Sequence, residues 1–293
     1  MRSVKEGRPR PDAGGTYRDP NAAHSASLSH MFLTLWRHRA LITRMARRDV
    51  VGRYKGSIVG VAWSFLNPLV MLAVYTFVFG VVFKARWGVT TSESRADFAI
   101  VLFVGLIVHA LFADCVNRAP GLITSNVNFV KKVVFPLEVL PGVVLGSALF
   151  HAAVSICVLL LAMLANGNSI HASVAFVPAV IAPLLLWALG IGWLLASLGV
   201  FLRDIAQLTT ILTTIMLFLA PVFFPISSMP VGFRPLIQLN PLTFIIEQMR
   251  IVLMEGRQPD WTGYAIYFSI SVVVAWIGFW WFQRTRRGFA DVL

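Results

Sequence analysis

RDVVGRYKGSIVGVAWSFLNPLVMLAVYTFVFGVVFK, residues 48–84, joins a basic segment to an apolar run over 58–83 that carries no charge. A bilayer core of about 30 Å is crossed by about 20 helical residues at about 1.5 Å each. The run is therefore long enough to span a membrane. Asn67-Pro68 and Tyr75-Thr76 interrupt it with polar and helix-bending groups, which predicts a helix that lines or packs against something.

The composition of the whole chain agrees with a membrane protein. Of 293 residues, 57% are hydrophobic and only 13% are charged, and the mean hydropathy is +0.75. One soluble core of this length could not bury so much apolar surface. The two cysteines, Cys115 and Cys157, lie in or beside apolar runs, which favours packing residues over a secreted disulfide framework.

The distribution of apolar runs predicts an all-α polytopic membrane protein with six transmembrane helices. The predicted spans are 58–83, 98–115, 137–165, 174–201, 205–224 and 264–282. Residues 1–30 are basic and contain no apolar core of the kind that a signal peptide requires, so we expect a disordered cytosolic tail.

Lysine and arginine predict the orientation of these spans. If the N-terminus is cytoplasmic, the inside segments contain 19 of the 25 basic residues and the outside segments contain 6. This bias predicts that both termini, including residues 284–293, are cytoplasmic. The net charge of +12 is then explained by topology and by attraction to anionic membrane lipids, and no zinc-finger spacing or base-reading basic helix indicates a nucleic-acid partner.

Residues 31–55 alternate apolar side chains with arginines at helical spacing. This pattern predicts an amphipathic helix in the headgroup plane on the cytoplasmic side, either as an anchor for the first span or as a docking element for a partner. Its marker residues are Trp36, Arg44, Arg47 and Arg48. If the helix continued, the four-residue spacing of Gly52, Gly56 and Gly60 would form a smooth stripe at the mouth of the first span.

The segment 118–136, RAPGLITSNVNFVKKVVFP, joins the second and third predicted spans on the cytoplasmic side. Its proline and glycine residues near the ends predict a short helix held across the membrane face. The chain contains no GxxxxGK[ST] phosphate loop, so it needs a partner if ATP drives its work. This is the only predicted cytoplasmic loop between spans that is long enough to receive force from such a partner.

Three blocks of this sequence resemble a known family: RYKGSIVGVAWSFLNPLVMLAVYTFVFGVVFK, NVNFVKKVVFPLEVLPGVV, and the late FLAPVFFPISSMP followed by LNPLTFIIEQMR. They are similar to the membrane subunit of ABC-2 type polysaccharide exporters, most of all the bacterial O-antigen ABC transporter permease. The resemblance covers most of residues 31–282. The long basic tail before Met31 departs from the family pattern.

The resemblance implies a homodimer in the bacterial inner membrane, paired with two cytosolic ABC ATPase subunits that bind ATP and Mg. Such an exporter moves a lipid-linked polysaccharide towards the outer leaflet, and this chain itself would hold no cofactor or metal. The resemblance also implies a coupling helix that docks into the ATPase, formed by Asn126, Asn128, Phe129, Lys131, Lys132 and Phe135.

A path for a glycan needs aromatic rings that stack on sugars and small polar groups that exchange hydrogen bonds with hydroxyls. The first predicted span offers Trp63, Asn67, Tyr75 and Phe79, and the fifth offers Gln207, Thr210, Thr214 and Phe218. Polar groups inside a membrane face other helices or water. For the fifth span, a channel wall and hydrogen bonds between helices remain open alternatives.

Residues 225–256 are too polar and rich in proline to cross the membrane, although 242–254 is apolar on several faces. We expect a re-entrant helical hairpin buried against protein before the last span. In the resembled family this region closes the exit. The gate residues are Phe224, Pro225, Asn240, Glu247 and Arg250.

Two histidines, His109 and His151, fall inside predicted spans. Because the spans supply almost no acidic neighbours at similar depth, we interpret both as neutral side chains bonded to an adjacent helix rather than as a proton relay. A membrane-embedded glycosyltransferase would need a DxD pair or clustered carboxylates, which the sequence lacks. Export of capsule, teichoic acid, drug or lipid remains an alternative to O-antigen export.

Overall fold

A computed structural model describes residues 27–83, 95–131 and 135–293, and its regular elements are all helical. Most of the predicted tail at 1–30, and the side chain of Lys132, lie outside the described residues. The α-helices are α1 (Leu28–Arg37), α2 (Arg39–Arg53), α3 (Trp63–Tyr75), α4 (Arg95–Arg118), α5 (Val127–Lys131), α6 (Leu140–Ala165), α7 (Val177–Phe201), α8 (Ile205–Phe218), α9 (Arg234–Gln238), α10 (Pro241–Leu253), α11 (Trp261–Thr285) and α12 (Phe289–Val292).

Five helical stretches in the described part of the chain are long and apolar enough to cross a membrane, which confirms a polytopic membrane protein. They contain α3, α4, α6, α7 and α11, and their bounds are Gly60–Val82, Phe98–Gly121, Leu137–Ala165, Ala172–Phe201 and Trp261–Val292. Each stretch coincides with one of the predicted spans.

The remaining predicted span, 205–224, is helical only in α8. Its 14 residues extend about 21 Å at about 1.5 Å per residue, which is less than the thickness of a bilayer core. The chain leaves the helix at Leu219, shortly before Pro221 and Pro225. A crossing at this position therefore needs more than α8 alone, and the sixth span stays a prediction.

α7 and α11 form the tightest helix pair of the described residues because two glycines meet backbone to backbone. A Cβ atom added to Gly278 would lie 2.0 Å from the carbonyl oxygen of Gly190. Beside this contact, Trp193 is fully buried, stacks edge to face on Phe279 with ring centroids 5.1 Å apart, and donates from Nε1 to the carbonyl oxygen of Glu138 at 2.8 Å. These contacts fix the centre of the fold.

α3 packs much less closely than α4. In its most apolar window only 17% of the residues are buried, against 72% in the stretch that contains α4. It carries Pro68 inside the helix and continues as a π-helix over Thr76–Val82. Most of its surface is therefore available to lipid or to another chain.

The glycine stripe expected before α3 does not form, and that expectation is wrong. Gly56 and Gly60 have φ angles of +90° and +57°, which belong to the left-handed region rather than to an α-helix. The chain leaves α2 at Arg53 and turns before α3 begins. These glycines thus permit a bend between two helices.

Residues 31–55 form two helices, most of α1 and all of α2, with a break at His38. α2 packs along the first half of α6, so a Cβ atom added to Gly142 would lie 3.3 Å from Ile42, and one added to Gly146 would lie 3.0 Å from Ala46. The GxxxG pair formed by Gly142 and Gly146 therefore serves ordinary helix packing. Whether α1 and α2 lie in the headgroup plane stays a prediction.

Candidate functional site

Four charged side chains join the C-terminal end of α2 to the C-terminal end of α4. Arg53 bonds Asp114 at 2.7 Å, and Arg118 bonds Asp49 at 2.8 Å. The crossed distances, Arg53–Asp49 at 3.9 Å and Arg118–Asp114 at 3.7 Å, close the group into one network. Partial burial acts to raise the pKa of Asp49, but the hydrogen bond and charge of Arg118 and the charge of Arg53 outweigh it and hold that pKa below its ordinary value of 3.8.

The predicted marker residues of the N-terminal helices are on the outer surface of the chain. Trp36 is 68% exposed and stacks under the guanidinium of Arg39 at 4.6 Å. Arg44, Arg47 and Arg48 are exposed, while Ala46 and Val50 of α2 are buried. This division gives α2 one face against the fold and one basic face outward.

The segment predicted to couple to an ATPase contains the five-residue helix α5 and is fastened to the C-terminal segment. The rings of Phe129 and Phe135 stack with centroids 4.4 Å apart. Lys131 donates to the carbonyl oxygen of Leu293 at 2.5 Å, and Arg286 donates to the carbonyl oxygen of Phe135 at 3.1 Å.

The asparagines of this segment differ in exposure. Asn126 is half-buried and donates to the carbonyl oxygen of Leu122 at 2.9 Å, whereas Asn128 is exposed. Arg286 also pairs with Glu138, the buried acid at the start of the α6 stretch, at 2.6 Å. Contact of any of these residues with an ATPase stays a prediction.

The predicted pathway residues of α8 form an exposed polar stripe. Gln207, Thr210 and Thr214 are exposed, and Phe218 is 61% exposed. The hydroxyls of Thr210 and Thr214 donate to carbonyl oxygens four residues back in the same helix, at 3.2 and 2.8 Å. An apolar stripe beside it contains Leu208, Ile211, Leu212 and Ile215, each between 48% and 59% exposed.

Hydrogen bonds between α8 and α4 involve His109, which the sequence singled out, and Thr213 and Asn117, which it did not. Thr213 is buried and donates to the side chain of Asn117 at 3.1 Å, and Nε2 of His109 donates to the carbonyl oxygen of Thr213 at 2.9 Å. The interpretation of His109 as a histidine bonded to an adjacent helix is confirmed. A buried side of α8 at Thr209 and Thr213 could be recognised only once the helix had a neighbour.

The predicted pathway residues of the first span divide between two environments. Trp63 is 44% exposed, and Phe79 lies in an aromatic group with Phe83, Phe98 and Phe223, at centroid distances from 5.8 to 6.1 Å. Asn67 and Tyr75 instead line a cavity of about 450 Å³ between the end of α2 and helices α3, α4 and α6. Phe223 also stacks on Phe218 of α8 at 5.7 Å.

His151 of α6 faces the same cavity. From the sequence we expected it to bond an adjacent helix instead. Its ring meets Tyr54 edge to face at 6.0 Å, and its Nε2 atom is buried with no hydrogen-bond partner among the described residues. The expected bond from this atom to an adjacent helix is therefore absent there. An unpaired buried polar atom costs about 1–3 kcal/mol, and several other buried atoms of the described residues share this state, among them Oγ of Ser147 and Nε1 of Trp187.

The predicted gate residues hold α10 against the end of α8. Asn240 caps α10 by accepting from the backbone of Leu242 at 3.0 Å and donates to the carbonyl oxygen of Met216 at 2.9 Å. Arg250, only 6% exposed, donates to the carbonyl oxygens of Val222 at 3.2 Å and Val101 at 3.4 Å.

The other gate residues are less enclosed. Glu247 pairs with Arg250 at 3.2 Å, and its side chain is 39% exposed. Phe224 and Pro225 are half-buried. Within the described ranges, no group of three His, Cys, Asp or Glu side chains could hold a metal ion.

The sequence profile of the ABC-2 type transporter family matches residues 40–254, which is most of the chain. This chain belongs to the ABC-2 type transporter family. The matched residues run from α2, through residues 118–136 and α8, to the end of α10. The family resemblance drawn from the three sequence blocks is confirmed.

Relatives of this ABC-2 family member are named for the export or transport of polysaccharides. An O-antigen export system permease protein of Myxococcus xanthus is 29% identical over 88% of this chain and 96% of its own length. The protein of the same name from Klebsiella pneumoniae is 23% identical over 86% of this chain and 95% of its own length. A polysialic acid transport protein of Escherichia coli is 23% identical over 79% of this chain and 88% of its own length.

Proposed function

We propose that this chain is the membrane-spanning subunit of an ATP-driven exporter that moves a lipid-linked polysaccharide of O-antigen type across the bacterial inner membrane. The observation that carries the proposal is the similarity to the O-antigen export permease of Myxococcus xanthus along 96% of that protein. A similarity that extends over nearly the whole length includes the coupling segment, α8 and the α10 region together. The relatives are permeases, so ATP and Mg are assigned to a separate partner chain.

In this proposal α8 and the region up to α10 together complete a sixth crossing. α8 rises from the cytoplasmic end of α7, and α10 begins beside the last turns of α8, where Asn240 bonds Met216. α10 ends near the outer loop between α6 and α7, where Ser173 donates to the carbonyl oxygen of Val252 at 2.6 Å. These contacts support a re-entrant hairpin over 225–256 and an even number of crossings, with both termini cytoplasmic.

ATPase subunits would dock at the coupling segment 118–136. Its exposed residues, including Asn128 and Lys131, are on the side where 19 of 25 lysines and arginines are predicted. The stack of Phe129 on Phe135 and the hydrogen bond from Arg286 to Phe135 hold α5 against the rest of the chain. A displacement of α5 would therefore be transmitted to α4, which ends beside it, and to α6, which begins beside it.

A second copy of the chain would complete the pathway. α8 exposes a polar stripe and an apolar stripe on adjacent sides, and polar groups in a membrane are costly when they face lipid. A homodimer resolves this, because the polar stripe can then face a hydrated path while the apolar stripe meets lipid or the other subunit. Gln207, Thr210, Thr214, Trp63 and Phe218 are the residues assigned to the wall.

Deletion of the gene tests the proposal directly. We expect loss of one surface glycan and accumulation of its lipid-linked form inside the cell. Restoring the wild-type chain should restore export, whereas Gln207→Leu with Thr214→Leu should restore insertion and ATPase assembly but little export. Leu212→Ile, on the apolar stripe, is the matched control. Normal surface glycans in the deletion strain would refute the proposal.

Capsule export is the second candidate, favoured by the similarity to the polysialic acid transport protein of Escherichia coli. The chemical identity of the accumulated glycan separates the two candidates. If no glycan accumulates and the deletion strain instead becomes sensitive to an apolar drug, the drug or lipid exporter alternative replaces both.

A further inference from the structure

The C-terminal segment, residues 286–293, packs onto the end of α11 and contacts the coupling segment. The sequence predicted only a cytoplasmic location for this part of the chain. The ring of Phe289 in α12 is fully buried and meets Phe282 of α11 edge to face, with centroids 5.5 Å apart. It also lies beside Phe201 of α7, at 6.0 Å. The segment is therefore fixed to both α7 and α11.

A single guanidinium, that of Arg286, bonds two groups where the coupling segment leads into α6. It pairs with the carboxylate of Glu138 at 2.6 Å and donates to the carbonyl oxygen of Phe135 at 3.1 Å. Arginine suits this position because its planar fork presents several donors in a fixed geometry, whereas the donors of lysine share one nitrogen. The fork thus joins the end of α11 to the end of the coupling segment.

The ion pair between Arg286 and Glu138 is enclosed by protein. The side chain of Glu138 is 7% exposed and that of Arg286 is 21% exposed. The carbonyl oxygen of Glu138 also accepts from the fully buried Trp193 of α7. Loss of one member of a buried pair leaves the other charge uncompensated, so the pair favours a single arrangement of α7, α11 and the start of the α6 stretch.

The start of the coupling segment is fastened to the same pair of helices through its backbone. A Cβ atom added to Gly199, near the end of α7, would lie 2.1 Å from the carbonyl oxygen of Pro120. At this level α7 is joined to α11 by the hydrogen bond between the hydroxyls of Ser197 and Thr285, at 2.6 Å. Both ends of the coupling segment therefore rest on α7 and α11, and the second anchor depends on side chains.

α5 lies between these two anchors and depends on the second one. Phe129 of α5 stacks on Phe135, whose carbonyl oxygen Arg286 holds. The last residue of α5, Lys131, donates to the carbonyl oxygen of Leu293 in the C-terminal segment. If Arg286 released Phe135, the ring that backs α5 would move, and α5 would yield when a docked partner pushed on it.

We propose that Arg286 and Glu138 are positioning residues for transport. They hold α5 in place, so that the displacement of a docked ATPase moves the membrane helices instead of bending the coupling segment. Neither residue has to touch the ATPase or the glycan for this role. The inference rests on the proposed function, because it assigns the residues that keep its coupling segment rigid.

Hydrogen exchange of the α5 amides tests the inference in the full chain, assembled with its ATPase in lipid nanodiscs. The test variant combines Glu138→Gln with Arg286→Gln, which leaves no lone buried charge, so we expect it to assemble. The amides of Val127–Lys131 should exchange about three- to tenfold faster than in wild type, the effect of one lost hydrogen bond. Arg284→Gln is the matched control and should exchange at the wild-type rate, because Arg284 is exposed and lies over the ring of Trp280 instead.

Glycan export and ATP hydrolysis by the same variants separate positioning from stability. In the deletion strain the double variant should export about three- to tenfold less glycan than wild type, whereas its purified complex should hydrolyse ATP at the wild-type rate. Arg286→Lys keeps the charge and should recover part of the export. It also replaces the double variant if that does not assemble, and it should then show faster α5 exchange than wild type.

Three results would overturn the inference: wild-type exchange of the α5 amides, normal export despite faster exchange, or equal loss of export and ATP hydrolysis. The last result would indicate a role in folding alone. Failure of the proposed function looks different. If the wild-type chain exports no glycan while α5 exchange still depends on Arg286, the proposed function is contradicted and the attachment of α5 is supported.

Discussion

Replacing Arg250 with methionine should loosen α10 from the rest of the fold and open the outer end of the chain to ions. Arg250 is 6% exposed, and its guanidinium donates to the carbonyl oxygens of Val101 and Val222. Methionine retains much of the apolar stem but donates nothing, so both buried carbonyls lose a charged donor.

The expected loss of unfolding free energy follows from these two carbonyl acceptors. A hydrogen bond to a charged group contributes about 1.5–3 kcal/mol, so the loss for Arg250→Met is about 3–6 kcal/mol. Arg250→Lys keeps the charge but has its donors on a single nitrogen, so the unfolding free energy should fall by about half as much as in Arg250→Met. Glu247→Gln is the matched control, because a partly exposed ion pair contributes at most about 1 kcal/mol.

Two measurements check this prediction. Thermal unfolding of the purified complex should rank the variants in the order wild type, Glu247→Gln, Arg250→Lys, Arg250→Met. Ion flux into proteoliposomes should rise in the same order if 225–256 forms the gate. An unchanged unfolding temperature for Arg250→Met would refute the bonding argument, and a lower temperature without added flux would refute only the gate assignment.

Three further predictions concern other parts of the fold. Gly278→Ala puts a Cβ atom 2.0 Å from a carbonyl oxygen of α7 and should lower the unfolding temperature of the complex, whereas Gly52→Ala, which meets open space, should not. Phe129→Ala removes a ring stacked on Phe135 at 4.4 Å and should leave ATP hydrolysis uncoupled from export in transport assays. Thr124→Ala is the matched control. Normal export by the Phe129→Ala variant would contradict the coupling role. Asp49→Asn should lower the free energy of unfolding by about 1 kcal/mol at neutral pH. Because the pKa of Asp49 is depressed in the folded chain, the difference from wild type should fade only as the pH drops below 3.8. A stability difference that persists in acid would contradict the ion-pair explanation.

Much of the fold was predictable because crossing a bilayer imposes length and hydropathy on each helix. The five spanning stretches satisfy both requirements along the sequence itself. α8 was predicted too long because Leu219 to Phe224 is as apolar as the helix before it, and hydropathy does not report where a helix ends. The turn at Gly56 and Gly60 was missed because periodic glycines suit both a smooth helix face and a positive φ angle.

The candidate site was less predictable because its contacts join residues distant in sequence. Asp49 and Arg118 are 69 positions apart, and neither lies in a recognisable motif. His109 and His151 occupy similar apolar surroundings in the sequence and line the same cavity, yet His109 donates to a carbonyl oxygen of α8 and Nε2 of His151 has no hydrogen-bond partner among the described residues. Only the arrangement of neighbouring helices distinguishes them.

The backbone contact between Gly190 and Gly278 has a mechanical consequence. With no side chain between the two rows of carbonyls and Cα atoms, α7 and α11 cannot slide past one another without separating. α3 and α8 turn most of their surface outward, so a tilt of either one exchanges lipid neighbours and breaks few bonds within the chain. Under the proposed function, a displacement transmitted from an ATPase would move α3 and α8 more easily than the central pair α7 and α11.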